Sequence, residues 1–487
     1  MRTLRDSLRR HRALMLRILF FLCLSVSCTV VLRYAIYRSP RATYKSNSHR
    51  FDQQENAALT QSSSLECDIA ESVGRYAVIF DAGTTGSRVH VYKYTKNSTI
   101  GSIDLHSEVV YRSTPGLASF QDPHEAAASL KPLLDFALKE VPESHRNPCT
   151  PVWLKATTGL RILGMEKSVS ILNEVHKIFR TYPFLVPDDA VELMDGKDEG
   201  VFAWLTVNFL LGNFDTPADS KGKAESAKPS TVGVVDMGSG STQVVFAPDE
   251  PVSTLLYAPD VNTHVVHYFG REVSLYQHSY LGFGLVEARN AVKKRLAGQG
   301  NRTKGEVFQV PCFPPGYLEE IKLEASRTSQ VRNPYGEKPS ETIPIQGASH
   351  LYGFDQCMPV VYDVLNKTHP CPSSSCSFNG VHQPTLEHAF KGDWYLMSNF
   401  YSIVKEYMKN IERDHLTLND YKIIAQDACK SGISGDQDPY LCLDSTFLYV
   451  LLAHGYELSD SQVLYPKNNI NGFELGWTLG AMIEEVA

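Results

Sequence analysis

Two short segments carry residues suited to chemistry on phosphate. Residues 77–92 read AVIFDAGTTGSRVHVY and residues 232–246 read VGVVDMGSGSTQVVF. In each, an apolar run ends in an aspartate (Asp81, Asp236), a loop of Gly, Ser and Thr follows, and a second run rich in Val begins. Glycines let backbone N–H groups come close to an anion, and the hydroxyls add further donors. A carboxylate closing the first run can hold a divalent cation, directly or through water. One DxGxxx[ST] pattern is weak evidence, because ordinary hairpins carry it. Two of them, with Asp81 matching Asp236, Gly83 matching Gly238 and Arg88 matching Gln243, favour a phosphate site over a pair of structural turns. There is no GxxxxGK[ST] loop, and no GxGxxG opens a helix after a strand.

The elements that must position these loops follow from the same repeat. Each copy reads as strand, loop, strand, and two equivalent hairpins far apart in one chain predict two homologous lobes facing each other across a cleft. Between them apolar strand-like runs alternate with helical ones, the α/β pattern. Order is expected to begin at Tyr76. The stretches 215–230 and 324–347, rich in Pro, Ser and Lys, read as surface loops.

The chain has 487 residues, 43% of them hydrophobic and 21% charged, a globular proportion. A net charge of −7 argues against nucleic acid as a partner. Basic residues are concentrated at the start, where Arg2, Arg5, Arg9, Arg10, Arg12 and Arg17 face a single acid, Asp6. The uncharged run 18–32 follows, and residues 13–37 reach spanning length if Arg17 and Arg33 snorkel. We therefore expect a cytoplasmic tail (1–17), a signal anchor (18–37), a stem (38–73) and a lumenal remainder. A cleaved signal peptide is the alternative, disfavoured because the run ends without a small-x-small pattern. A short span favours the early secretory membranes. Eight of the ten cysteines lie beyond the anchor, an even number suited to disulfides. Three sequons, at Asn97, Asn301 and Asn366, fit glycosylation in the same compartment.

At five places, in order, the chain resembles the apyrase, or nucleoside triphosphate diphosphohydrolase, family. These are Asp81 to Arg88, Lys155-Ala-Thr-Thr-Gly-Leu-Arg161, Asp198-Glu199-Gly200 with Trp204 and Asn208, Asp236 to Gln243, and Glu474, Trp477, Gly480 and Ala481. Within the family the nearest likeness is to the guanosine diphosphatases of the fungal Golgi. It rests on residues 276–285 (YQHSYLGFGL), 311–315 (PCFPP) and 376–384 (CSFNGVHQP). The resemblance implies two actin-like, RNase-H-type lobes, 74–195 with 465–487 and 196–464, holding a nucleotide between them. It implies Glu199 as general base, with Ser241 and Gln243 positioning the attacking water. Asp81 and Asp236 would hold a divalent cation (Mg²⁺, Mn²⁺ or Ca²⁺) mainly through its waters. Thr84, Thr85, Ser87, Gly238, Ser239, Gly240 and Thr242 would cradle phosphates, and Arg88, Lys155 and Arg161 are the cationic candidates. It also suggests disulfides Cys312–Cys357 and Cys429–Cys442, with Cys371–Cys376 a local bridge and Cys67–Cys149 the pair left over.

Three residues depart from the family's usual pattern: Thr84 for Ser, Thr158 for Ala, read as a change of packing, and Ser239 for Gly. The implied reaction turns a nucleoside diphosphate, GDP before UDP, into the monophosphate and phosphate. In the Golgi this links the enzyme to glycosyltransferases and to a nucleotide-sugar antiporter exchanging GMP for GDP-mannose. The competing readings are a broad apyrase acting on triphosphates as well, and a non-catalytic nucleotide-binding module; a sugar kinase is the least supported. Trp204 and Trp477 read as core, Tyr276, His278 and Tyr280 as packing with approach to a nucleobase the alternative, His382 as a hydrogen-bonded surface residue, Arg161 equally as a structural ion-pair partner of a strand-end acid, and Asp195 and Asp198 as loop acids.

Overall fold

A computed structural model describes residues 67, 73–97, 102–214, 231–249, 262–268, 271–297, 307–324, 340–371, 373, 375–430 and 438–486. The expected tail, anchor and nearly all of the stem lie outside these residues, as do Asn301 and the loop 215–230. Among the described residues no helix is long and apolar enough to cross a membrane.

The first sheet contains β1 (Arg75–Ala82), β2 (Ser87–Asn97), β3 (Ser102–Ser113), β4 (Val152–Ala156) and β5 (Val191–Leu193), in the order β3-β2-β1-β4-β5. β1 pairs antiparallel with β2 and parallel with β4, which makes it the central strand. Covered on both faces, it reads as an unbroken apolar run, with Ala77, Val78, Ile79 and Phe80 all buried.

The second sheet is built from β6 (Gly233–Met237), β7 (Ser241–Phe246), β8 (Thr263–Tyr268) and β9 (Arg271–Leu281). A small separate sheet intervenes, made of β10 (Phe308–Val310), β11 (Leu318–Glu324) and β12 (Ser340–Gly347). The second sheet is then completed by β13 (Trp394–Ser398), β14 (Leu416–Thr417) and β15 (Val463–Pro466). Its order is β14-β15-β13-β6-β7-β9-β8. The run β9-β7-β6-β13-β15 repeats β3-β2-β1-β4-β5 strand for strand, with the same parallel and antiparallel directions. The internal repeat seen in the sequence is thus the visible part of a duplicated five-stranded unit, the actin-like arrangement.

One expectation is corrected here. The stretch 324–347 is not wholly a loop, because Ser340–Gly347 forms β12, paired antiparallel with β11. Its polar composition concealed a period of two in which Ile343 and Ile345 turn inward and are buried.

Helices Gly196–Leu210 and Thr478–Val486 fill the space between the two sheets. On one side they meet Ala77, Ile79 and Tyr92, and on the other Val234, Val245 and Leu275. They cross at Gly480, whose amide donates to Thr206 Oγ1 at 2.8 Å. A Cβ at Gly480 would lie 2.1 Å from the Phe202 carbonyl oxygen, so only glycine permits this approach. The outer face of the first sheet is covered by Pro123–Ala128, Lys131–Glu140 and Met165–Phe179. That of the second sheet is covered by Leu285–Ala297, Phe354–Val364 and Leu441–Val450. All four expected disulfides are present: Cys67–Cys149, Cys312–Cys357, Cys371–Cys376 and Cys429–Cys442. Asn366 is exposed, and its amide donates to Asn379 Oδ1 at 3.0 Å. Asn97 ends β2.

Candidate active site

The two hairpin turns meet across one cavity of about 210 Å³. Asp81 stands opposite Arg88 in the β1–β2 register, and Asp236 opposite Gln243 in β6–β7, as the repeat predicts. Equivalent bonds close the turns: Gly83 N–H to Gly86 O at 2.9 Å, and Gly238 N–H to Ser241 O at 3.0 Å. Thr85 Oγ1 and Ser239 Oγ, one from each turn, lie 3.3 Å apart. A Cβ at Gly240 would fall 2.3 Å from Thr158 Cγ2 and 3.0 Å from Thr84 Oγ1, so the turns come this close because the residue is glycine. Carbonyls of Gly238 and Ser239 accept from the start of helix Leu285–Ala297, and that of Gly240 accepts from Gly282. In a trans peptide the next N–H points the opposite way, so the amides of Ser239, Gly240 and Ser241 turn away from that segment.

Glu199 enters from the first turn of helix Gly196–Leu210, which Asp195 caps by accepting from Lys197 N–H at 3.1 Å. Glu199 is 7% exposed and pairs with Arg161 Nη2. Burial drives its carboxyl up to about 7; Arg161 opposes the rise, while Asp236 and Asp81 add to it. Ser241 Oγ accepts from Gln243 Nε2 at 2.7 Å and lies 2.8 Å from Thr158 Oγ1.

Asp81 and Asp236 are 6% and 5% exposed, and burial pushes both carboxyls upward. Asp81 Oδ2 meets Arg88 Nε at 3.1 Å, yet Oδ1 of each aspartate is buried without a hydrogen-bond partner. Among the described residues no three His, Cys, Asp or Glu side chains cluster as a metal site. Two anionic oxygens left unsatisfied beside phosphate-sized space nevertheless fit a hard divalent cation that keeps most of its water shell.

Of the residues singled out in the sequence, Asp81, Thr84, Thr85, Ser87, Arg88, Glu199, Asp236, Gly238, Ser239, Gly240 and Ser241 line the cavity together. Three others stand behind it. Gln243 is buried beneath Ser241, Thr242 Oγ1 donates to Phe283 O at 2.7 Å, and Lys155 is held by Glu192 and Glu485. Tyr276 and Tyr280 are core, whereas Trp477 packs in the core and also reaches the cavity wall.

Sequence reasoning overlooked several lining residues. Arg112 pairs with Glu474, which also meets Arg88 Nη1 at 3.3 Å. Ser398, at the end of β13, holds a φ of 55°, strained for a residue with a side chain, and hydrogen-bonds Asp236. Thr158 does more than pack, since its hydroxyl reaches Ser241. Arg112 and Ser398 lie in unremarkable sequence, so only the strand order brings them to the cleft.

Comparison with known proteins identifies the chain's relatives. The chain is 38% identical over 446 residues to the guanosine-diphosphatase of Candida albicans, covering 84% of this chain and 70% of that protein. It is 37% identical over 441 residues to the guanosine-diphosphatase of Saccharomyces cerevisiae, covering 84% and 80%. With the human nucleoside diphosphate phosphatase ENTPD5 it shares 34% over 440 residues, covering 89% and 92%. The crystal structure of nucleoside triphosphate hydrolases from Neospora caninum shares the fold, with a TM-score of 0.61 at 15% identity, covering 85% of this chain and 92% of that one. Residues 68–487 match the model of one family, and the chain is a member of the GDA1/CD39 (nucleoside phosphatase) family.

Proposed function

We propose that the protein hydrolyses nucleoside diphosphates, GDP in preference to UDP, to the monophosphate and phosphate. The observation that carries this reading is one cavity lined by Glu199, Ser241 and two aspartates that each keep an unpaired buried oxygen, at the meeting of two phosphate-type turns. Water held by Ser241 and Glu199 attacks the terminal phosphorus. Its proton passes to the Glu199 carboxylate, and the bond from that phosphorus to the bridging oxygen breaks. Arg88 and the backbone amides of the turns stabilise charge on the phosphoryl oxygens. Gln243 orients Ser241 from below, and Arg161 orients Glu199. Asp81 and Asp236 are the residues that would hold a divalent cation, which when bound neutralises phosphate charge. Asp81 and Asp236 would offer it carboxylate oxygens with water completing the shell, so Mg²⁺, Mn²⁺ and Ca²⁺ would all be acceptable.

The same reading puts the enzyme in the Golgi membrane, type II, with its catalytic part lumenal, working beside glycosyltransferases and a nucleotide-sugar antiporter. The apolar run between Arg17 and Arg33 and the four disulfides support a secretory address.

Phosphate release from GDP, UDP, ADP and GTP tests the reaction. Turnover should be fastest with GDP, stop in EDTA and return with any of the three ions. Release from GTP at the rate of GDP would make the protein a broad apyrase. No release from any diphosphate would end the proposal.

A further inference from the structure

Thr158 opens the helix Thr158–Leu163 behind the first sheet, yet its side chain reaches across the cleft to β7 of the second. Its Oγ1 lies 2.8 Å from Ser241 Oγ and accepts from Arg161 Nη2 at 3.0 Å. Arg161 also pairs with Glu199. On the far side, Gln243 Nε2 donates to Ser241 Oγ at 2.7 Å and to Ser279 Oγ at 3.0 Å. Thr158 and Ser241 are 2% and 1% exposed. The chain Glu199–Arg161–Thr158–Ser241–Gln243 is therefore a continuous polar path, buried except at the half-buried Arg161, that joins the base to Ser241.

Proton counting gives this path a direction at each end. A guanidinium and a primary amide nitrogen only donate, so Arg161 gives a hydrogen to Thr158 and Gln243 gives one to Ser241. The two hydroxyls between them own two hydrogens and share one contact. One O–H is left over, and both residues line the cavity. With Thr158 donating to Ser241, both Ser241 lone pairs are engaged and the Ser241 O–H is the one left free to hold an oxygen in the cavity.

We infer that Thr158 is a positioning residue for the hydrolysis, its hydroxyl orienting Ser241 and coupling it to the Arg161–Glu199 pair across the cleft. This rests on the reading of Glu199 as the base. The methyl of Thr158 has a separate task, since it occupies the place where a Cβ on Gly240 would fall. Hydroxyl and methyl can therefore be tested apart.

Thr158→Val keeps the shape and removes the hydroxyl; Thr158→Ser keeps the hydroxyl and removes the methyl. Rates with GDP, or with whichever diphosphate the protein turns over, are measured with melting temperature on the same preparations. Thr158→Val should lower kcat by about tenfold or more with KM changed less than about twofold, because only the placement of the water is lost. Thr158→Ser should recover most of that rate even if it melts lower. In a Ser241→Ala background, Thr158→Val should cost little more, since the two act through one bond. Native kcat in Thr158→Val, equal losses in Val and Ser, or additive losses with Ser241→Ala would each overturn the inference. Glu199→Gln in the same assay keeps two failures apart. Native turnover there removes the base and this role with it, whereas collapse there beside native turnover in Thr158→Val removes the role of Thr158 alone.

Discussion

At the scale of single residues, the site is defined by carboxylates kept where charge is costly. Burial raises Glu199 to about 7, and it does so against the pull of Arg161, so desolvation is the larger effect. A base must be deprotonated to act, so turnover should climb with pH along a limb at or just below 7 and then level. A bound cation moves the limb downward, because added positive charge favours the carboxylate. Glu199→Gln should lose that limb and about 10²–10⁴ in kcat while nucleotide affinity changes little. A folded Gln variant with native kcat and an unchanged pH profile would falsify the assignment.

The same shift has a stability consequence of opposite sign. The folded state holds a proton that the unfolded chain releases above 4.5, so stability falls as pH rises from there to about 7. The loss is on the order of 3 kcal/mol for Glu199 alone. In chelator, melting temperature should drop as pH rises from 4.5 to about 7, and Glu199→Gln should flatten the drop.

At the scale of elements, the site depends on how closely two turns approach. Gly240 has Thr158 Cγ2 where its own Cβ would be, 2.3 Å away, and a β-branched side chain has no slack to retreat. Gly240→Ala should push the turns apart and cut kcat by about 10²-fold, with a smaller effect on melting, because the strands on either side remain paired. A second element-level feature is the Cys312–Cys357 bridge, buried in the core under the second sheet. Replacing both cysteines by Ser should cost about 2–5 kcal/mol of unfolding free energy. Denaturant titration of the double variant checks this, and stability equal to native would show the bridge to be dispensable.

At the scale of the whole molecule, the cleft exists because two five-stranded units share a pair of helices as their common core. Gly480 is a close approach in that layer, with the Phe202 carbonyl oxygen 2.1 Å from a would-be Cβ. Gly480→Ala should separate the helices and destabilise the protein by about 1–3 kcal/mol. Because the C-terminal helix also places Thr478 against Tyr92, whose hydroxyl lies 2.8 Å from Thr478 Oγ1, activity should fall with stability. Parallel measurement of melting temperature and kcat tests this. An active, native-like Ala variant would mean the crossing is looser than it looks.

What the sequence by itself determined is the local chemistry. The paired DxGxxx[ST] turns, the aspartates that open them and the duplication they imply are short-range patterns set by strand period and glycine conformation, and both hairpins have the register the repeat predicts. Glu199 was legible only through its motif, because nothing local distinguishes a helix-start glutamate that caps from one that acts as a base. Tertiary structure decided the rest. It turned Gln243, Thr242 and Lys155 to the back of the cavity and brought Arg112, Ser398 and Thr158 to its wall. Which residues from distant strands share a cavity depends on sheet order and helix packing, long-range properties that no spacing along the chain encodes. The role of Thr158 shows the difference most plainly. In the chain it is one small residue beside another, and only the crossing of the cleft sets its hydroxyl 2.8 Å from Ser241.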